Sequence, residues 1–326
     1  MKLAILGAGA MGCLMGGLAA RAGHDITFIA RGNTLEALRR HGLTLRTTND
    51  VWQGAVRAVE SGAEAEPMDA VVIATKANQI EAVLAHLPPM LHAETMIVPA
   101  INGIPWWYFQ RHGEPFSGRS LQSLDPTGAL RAAIDPARLI GCVNYLAGSM
   151  VAPGEVQYVP ELQRRLVFGE LDGALTPRLN ALAQVFADAG FAPVQSEQIR
   201  QVIWHKLWGN IAFNPIGALT GGTIDQIAEG YRDLDLVMSV MHEARFIADK
   251  LGIELNQTTK SRVEAAAKMR GHKTSMLQDM ESGRPTEIEA IVGAVREIGK
   301  WMEADTPYLN SLYSLVKLRE LFREKP

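Results

Sequence analysis

Cysteine is almost missing from this chain of 326 residues, which carries only Cys13 and Cys142. Two cysteines so far apart form neither a disulfide framework nor a CxxC metal or redox motif, so a reducing compartment, the cytoplasm, is expected. An excess of charge is missing too: 32 basic residues against 35 acidic ones leave a formal charge of -3. That balance gives no electrostatic footprint for nucleic acid or an anionic membrane, and a small anion would have to be held by a local basic site. No uninterrupted apolar stretch approaches the roughly 20 residues that a membrane-spanning helix needs. The eight histidines show no ligand spacing such as HExxH, so no metal is expected. Internal repeats and low-complexity tracts are absent.

What is present is the composition of a globular protein. Hydrophobic residues make up 47% and charged residues 21%, which sets aside disordered and collagen-like readings. The length exceeds one ordinary core, so two domains are expected. Lys2 followed by an apolar run to Ala19 and Ala20 imitates a secretory leader. Gly7, Gly9, Gly12, Gly16 and Gly17 interrupt that run too often for a leader helix, and Asp25 to Arg31 continues it as a second strand, so the segment is read as part of the fold.

Lys2 to Leu6 reads as a strand, Gly7 to Gly12 as a turn, Met11 to Ala22 as a helix closed by Gly23, and Ile26 to Ala30 as a second strand. Ala70 to Thr75 and Met96 to Ala100 are further continuous apolar strands, with a helix expected at Gln79 to His86 between them. Strands of that kind are buried on both faces of a parallel sheet. From about Gly118 to Gly169 shorter extended runs, Leu139 to Ala147 and Val156 to Val159, read as an antiparallel extension of the sheet. A helix at Pro177 to Ala189 and a strand at Ala192 to Gln195 follow. Beyond Ser196 the signals are helical: Glu197 to Phe213, Asp225 to Leu251, Thr259 to Arg270, Ser275 to Ser282, Thr286 to Glu303 and Pro307 to Phe322. The expected architecture is a Rossmann-type doubly wound α/β domain over residues 1–195 and an all-α C-terminal domain over 196–326.

Gly7-Ala8-Gly9-Ala10-Met11-Gly12 matches GxGxxG between a strand and a helix. Gly7 permits the tight turn, Gly9 lets backbone approach a pyrophosphate, Gly12 lets the helix pack on its strand, and the helix N-terminus offers amides and positive potential. An NAD-preferring site usually ends the second strand with Asp or Glu, about 20 residues beyond the glycines. Here Asp25 sits at the wrong end of that strand and Arg31 closes it, ready to pair with a 2′-phosphate. NADPH is therefore the expected cofactor.

In doubly wound sheets ligands sit beyond the carboxyl ends of the strands, which draws attention to Lys76 and Asn102. Taken alone, Lys76 reads as a surface lysine and Asn102-Gly103 as a turn with Asn at positive φ. The stretch Trp204 to Pro215 puts Lys206, Asn210 and Asn214 at i, i+4 and i+8, a polar stripe among Trp204, Leu207, Trp208, Ile211 and Phe213. Asparagine is a poor helix former, so that stripe suggests a lined pocket rather than a wet face. Ser275 and Thr286 read as helix N-caps, and Glu287 and Glu289 as first-turn acids that suit the helix dipole.

Taken together, GAGAMG with Arg31, TKANQ around Lys76, NG at Asn102, WHKLWGNIAFNPIGALT, TSMLQD and RPTEIEAI resemble the ketopantoate reductase (2-dehydropantoate 2-reductase) family, in matching order over nearly the whole chain. The resemblance implies NADPH-dependent reduction of a small 2-oxo acid, with Lys206 as the general acid. It further implies that Asn102 positions nicotinamide and substrate and that Lys76 lines the cofactor cleft. Asn210 and Asn214 would bind the substrate's hydroxyl region, Ser275 its carboxylate, and Glu287 its hydroxyl or Lys206 itself, with Asp279 acting at one remove. It leaves room for a homodimer. The Ile104 to Phe109 segment and the long Arg111 to Asp135 stretch after it depart from the family pattern; the first reads as a helix burying an aromatic face under the sheet, or alternatively as a segment that reshapes the substrate pocket. Two alternatives stay open: a reductase of this fold acting on a different 2-oxo or 3-oxo acid, and an NADPH-binding regulatory module without turnover.

Overall fold

The structure, a computed structural model, describes residues 1–159 and 164–322, without the side chains of 231–234. The chain divides into two units. The first takes Met1–Ile101, Phe109–Arg119 and Gly128–Ile199, and the second takes Asn102–Tyr108, Ser120–Thr127 and Arg200–Pro326. The crossing is therefore not a single cut: two short segments from the first half of the sequence belong with the C-terminal helices.

In the first unit the chain runs β1 (Lys2–Leu6), α1 (Ala10–Arg21), β2 (Asp25–Ile29), α2 (Gly32–His41), β3 (Leu43–Arg46), β4 (Val51–Gly54), β5 (Arg57–Val59), β6 (Ala70–Ile73) and β7 (Met96–Pro99). It continues with α3 (Ala129–Ala133), β8 (Ile140–Tyr145), β9 (Gly148–Ala152), β10 (Glu155–Tyr158), β11 (Arg165–Glu170), α4 (Pro177–Asp188) and β12 (Ala192–Gln195). β1 and β2 each show one exposed residue and then four buried ones, as expected of strands covered on both faces. The main sheet is parallel throughout, in the order β5-β2-β1-β6-β7. Strand order reverses between β1 and β6, which is where an open α/β sheet of this Rossmann type receives its ligand.

α1 contains three glycines, Gly12, Gly16 and Gly17, and the last two let it pack closely on the main sheet and on β3. A Cβ on Gly16 would come within 2.7 Å of Ile5 and Phe28, and one on Gly17 within 2.4 Å of Leu43 in β3. The second contact explains a difference from the sequence expectation. The β9–β10 hairpin is antiparallel, but it does not extend the main sheet; β10 pairs in parallel with β3 to build a separate sheet, β4-β3-β10-β9. α1 is apolar on both sides, and Leu45, Val156 and Tyr158 of this second sheet are buried in the same core. β3, β4 and β5 went unread because they are only three or four residues long and carry Thr, Arg and Gln at alternate positions. β8, β11 and β12 form a third sheet, linked to the main one by a parallel bridge between Ile97 and Leu139. The helix expected at Gln79 to His86 is a succession of 3₁₀ turns ending at Pro88 and Pro89, whose missing N–H groups and fixed φ cut an α-helix short.

The second unit is helical: α5 (Ile199–Thr220), α6 (Ile224–Leu234), α7 (Leu236–Lys250), α8 (Thr259–Ala266), α9 (Ser275–Glu281), α10 (Ala294–Trp301) and α11 (Pro307–Phe322). The single helix expected from Asp225 to Leu251 is broken at Asp235, which takes φ +43°, a conformation that Asp tolerates better than most residues. The helix expected from Thr286 opens later and differently, as a π-helical turn over Glu289–Gly293 that runs into α10. The Ile104 to Phe109 segment forms turns rather than a helix, consistent with Gly103 at positive φ before it and Pro105 within it. Trp106, Trp107 and Tyr108 are buried and belong to the second unit, where Trp204 Nε1 of α5 donates to the Tyr108 hydroxyl at 2.9 Å.

Candidate active site

In the first unit the glycine turn is fixed by close contacts with its own helix and with the chain that follows β6. Gly7 ends β1 with φ +110°, and a Cβ there would lie 2.7 Å from the Thr75 methyl and 2.9 Å from its backbone nitrogen. The turn is therefore wedged against the end of β6, at the reversal of strand order. A Cβ on Gly12 would lie 2.1 Å from the Gly7 carbonyl oxygen, so the first turn of α1 can close on the glycine loop only without one. Gly9 differs, since a Cβ there would meet nothing within 4 Å.

Gly9 is the N-cap of α1, with no side-chain cap and no acidic residue in the first turn. The first amides of a helix have no partner inside it, so this end presents donors and positive potential toward open space. Ala8, Ala10 and Met11 complete the turn, each half-buried. Lys76, also half-buried, caps the 3₁₀ turn after β6. Arg31 stands exposed just past β2, and Asp25 begins that strand at the other end. Thr75, which the sequence reading passed over for its neighbour Lys76, keeps its Oγ1 buried without a hydrogen-bond partner beside Gly7. An anion-binding turn, an unsatisfied hydroxyl and an exposed guanidinium at the end of the second strand suit a phosphorylated dinucleotide. Cys13 lies under this turn, and burial pushes its thiol up to about 12, so it is packing material rather than a nucleophile.

In the second unit the chemistry rests on side chains. α5 runs unbroken from Ile199 to Thr220, which places Lys206, Asn210 and Asn214 along one face; the first two are half-buried and Asn214 is buried. Lys206 Nζ donates to Asn102 Oδ1 at 2.8 Å, and Asn102 Nδ2 donates to Glu287 Oε2 at 3.3 Å. The amide thus turns its acceptor to the ammonium and its donor to the carboxylate. Asn102 is held by its neighbours. Gly103, not Asn102, takes the left-handed φ of +80°, and a Cβ there would lie 2.3 Å from the Ala290 oxygen. The same Ala290 oxygen accepts the Ile104 N–H at 2.8 Å, so the Asn102 segment is docked on the π-helical turn that follows Glu287.

The remaining expected residues are placed less centrally. Ser275 is the exposed first residue of α9, and the cap is Thr274, whose hydroxyl accepts the Leu277 N–H at 3.2 Å. Thr286 stands two residues before the first helical residue, Ile288, whose N–H its hydroxyl accepts at 3.4 Å, and its own backbone N–H donates to Glu320. Asp279 is buried and accepts from Arg284 Nε at 3.0 Å, tying α9 to the strand of chain that leads to Glu287. The Ala290 contact and the Tyr108–Trp204 bond had no local sequence signal beyond glycine at 103 and the clustered aromatics.

Two family models match this chain: Ketopantoate reductase PanE/ApbA over residues 3–173 and Ketopantoate reductase PanE/ApbA C terminal over 198–320. A 2-dehydropantoate 2-reductase of Mesorhizobium japonicum is 39% identical over 318 residues, 97% of each chain. The crystal structure of a candidate ketopantoate reductase from Ralstonia solanacearum MolK2 shares 38% identity at a TM-score of 0.93, over 99% of this chain and 98% of that one. A D-mandelate dehydrogenase solved with NADH and anilino(oxo)acetate aligns at a TM-score of 0.82 over 98% of each chain, but at 21% identity, which shows the fold alone. With models covering both halves and a relative of this identity along nearly its full length, the chain belongs to the ketopantoate reductase family of NADP-dependent oxidoreductases that act on CH–OH donors.

Proposed function

We propose that the chain reduces 2-dehydropantoate (ketopantoate) to pantoate with NADPH, Lys206 acting as the general acid. The observation that carries this reading is the hydrogen-bonded chain Lys206–Asn102–Glu287. NADPH, when bound, supplies the hydride. As negative charge grows on the substrate's ketone oxygen, an ammonium beside it stabilises that charge and delivers a proton from Nζ. Asn102 directs Nζ by accepting one of its protons, and Glu287 keeps the Asn102 amide from turning over by accepting from Nδ2. Glu287 also binds the substrate hydroxyl in this reading. Asn210 and Asn214, on the same face of α5 as Lys206, bind the substrate's hydroxyl region, and Ser275 its carboxylate.

The cofactor is assigned to the first unit. The amides of Gly7 to Gly12 take the pyrophosphate, Arg31 takes the 2′-phosphate, and Lys76 lines the cleft. Preference for NADPH over NADH rests on the exposed guanidinium at the end of β2 and on the distance along β2 that separates it from Asp25. A cytoplasmic place of action is supported by the two lone, buried cysteines.

The test is NADPH oxidation measured against a panel of branched and aryl 2-oxo acids that includes ketopantoate. The highest kcat/KM should fall on ketopantoate. A preference for another acid would move the substrate assignment, and turnover of none would leave an NADPH-binding module.

A further inference from the structure

The turn that carries Glu287 is anchored at two points by the last helix. Residues 284–287 lie outside any helix or strand, between the Arg284 N–H, which donates to the Asp279 carbonyl at 2.9 Å, and the Glu287 carbonyl, which accepts the Ile291 N–H at 3.1 Å. Glu320 of α11 accepts the Thr286 N–H at 2.8 Å, one residue before Glu287. Tyr313 of α11 donates its hydroxyl to Glu289 Oε1 at 2.8 Å, two residues after Glu287, and Lys317 Nζ reaches the same oxygen at 3.1 Å. Lys317 also lies 3.9 Å from Glu320, which links the two anchors, and Tyr313 is pinned in turn by the Arg296 guanidinium 4.0 Å from its ring centroid. Positions 313, 317 and 320 follow i, i+4 and i+7, so one face of α11 supplies every contact.

Tyr313 and Lys317 keep their charge states near neutrality. Burial raises the Tyr313 pKa and the bond to Glu289 adds to the rise, so the hydroxyl stays a donor. Burial works to lower Lys317, but its contacts with Glu289 outweigh that and the net direction is up. A π-helical turn is a poorer arrangement than an α turn and is found most often where function uses it. Here it begins at Glu289, the residue that α11 grips, and its Ala290 carbonyl holds the Asn102 segment.

We propose that Glu320 is a positioning residue for the reaction: α11, through Glu320 and the Tyr313–Glu289–Lys317 contacts, fixes the backbone on either side of Glu287 and so sets where its carboxylate meets Asn102 and the substrate. This rests on the reading of Glu287 as a substrate-binding group. A role in folding alone would make Glu320 act independently of Glu287. A positioning role makes its effect vanish once Glu287 is gone.

The experiment measures KM for the 2-oxo acid, kcat and NADPH affinity in the full-length protein and in Glu320→Ala, Glu320→Gln, Glu287→Ala and the Glu287→Ala/Glu320→Ala double variant. Loss of one charge-assisted hydrogen bond should raise KM about three- to tenfold in Glu320→Ala, with NADPH affinity unmoved. Glu320→Gln, whose amide oxygen still accepts from Thr286, should recover most of that. In the Glu287→Ala background Glu320→Ala should add nothing, the mark of two residues acting as a unit. Tyr313→Phe keeps the ring under Arg296 and should show the same signature at smaller amplitude, which gives a second route should Glu320→Ala fold poorly. Unchanged KM in Glu320→Ala beside a raised KM in Glu287→Ala, or additive effects in the double variant, would overturn the proposal. Unchanged kinetics in Glu287→Ala would instead remove the reading of Glu287 on which it rests, and the proposal with it.

Discussion

In the first unit the centre of the candidate cofactor cradle is made of backbone, three glycines and the amide end of α1, with the Thr75 side-chain hydroxyl beside them. In the second unit the candidate chemistry is made of side chains, Lys206, Asn102 and Glu287, joined by two hydrogen bonds that span 104 and 185 residues of sequence. The difference teaches where each kind of site is vulnerable. A backbone cradle tolerates few side chains and fails by steric intrusion. A side-chain relay tolerates its surroundings and fails when one functional group is removed.

The largest expected effect separates the two directly. Lys206→Ala should lower kcat/KM by at least the roughly 10²-fold of a positioned general acid while leaving NADPH affinity nearly unchanged. Steady-state kinetics and an NADPH titration on the same variant check both halves, and a fall in both would assign Lys206 a structural part instead. Gly9→Val should do the reverse. Because a Cβ at Gly9 meets no protein atom, the variant should fold and melt normally yet lose NADPH binding, whereas Gly12→Val, with its Cβ 2.1 Å from the Gly7 oxygen, should lose stability as well. Equal melting temperatures for the two variants would break the distinction.

Arg31→Ala comes next in size. Removing a guanidinium paired with a 2′-phosphate should cut the preference for NADPH over NADH by roughly ten- to a hundredfold, the range for a hydrogen-bonded charge. Equal affinities for the two cofactors in the unmutated protein would show that Arg31 plays no such part. The smallest effect belongs to His205, the neighbour of Lys206. Burial, reinforced by Arg262, lowers its pKa below the ordinary 6.5. The folded protein thus binds its proton later than the unfolded chain, so stability present above about 6.5 should decline as pH falls through that value toward the folded one. Thermal melts across that range should show a shallower decline in His205→Gln than in the parent.

Legibility in the sequence follows the same division. Gly7, Gly9 and Gly12 could be read because the motif they form lies within one strand–turn–helix unit, although the tightest contacts of Gly7 are with Ala74 and Thr75 beyond β6. Four strands of the five-stranded parallel sheet were legible from continuous apolar runs, but its edge strand β5 and the second-sheet strands β3 and β4 were not, since strands of three or four residues look like loop. On α5 the spacing of Lys206, Asn210 and Asn214 was visible, and the helix bears all three. Their partners were not. Nothing local announces that Asn102 bridges Lys206 and Glu287, and the resemblance to a family named those residues without giving their bonds. The helix expected from Thr286 to Glu303 is present from Ile288, opening through a π-helical turn, and Glu287 and Glu289 stand at its start; what had no local signal is that one accepts from Asn102 and the other is gripped by Tyr313 and Lys317.

The central claim is that a hydride passes from NADPH to the carbonyl carbon of a 2-oxo acid on this protein. Mixing the protein with NADPH deuterated at nicotinamide C4, on the face the enzyme uses, and ketopantoate tests it directly, with the product analysed by mass spectrometry. The account predicts one pantoate formed for each NADPH consumed, with deuterium at C2 and with product formation abolished to the same degree as kcat/KM in Lys206→Ala. NADPH bound but not consumed, or consumed without label appearing at C2, would contradict it.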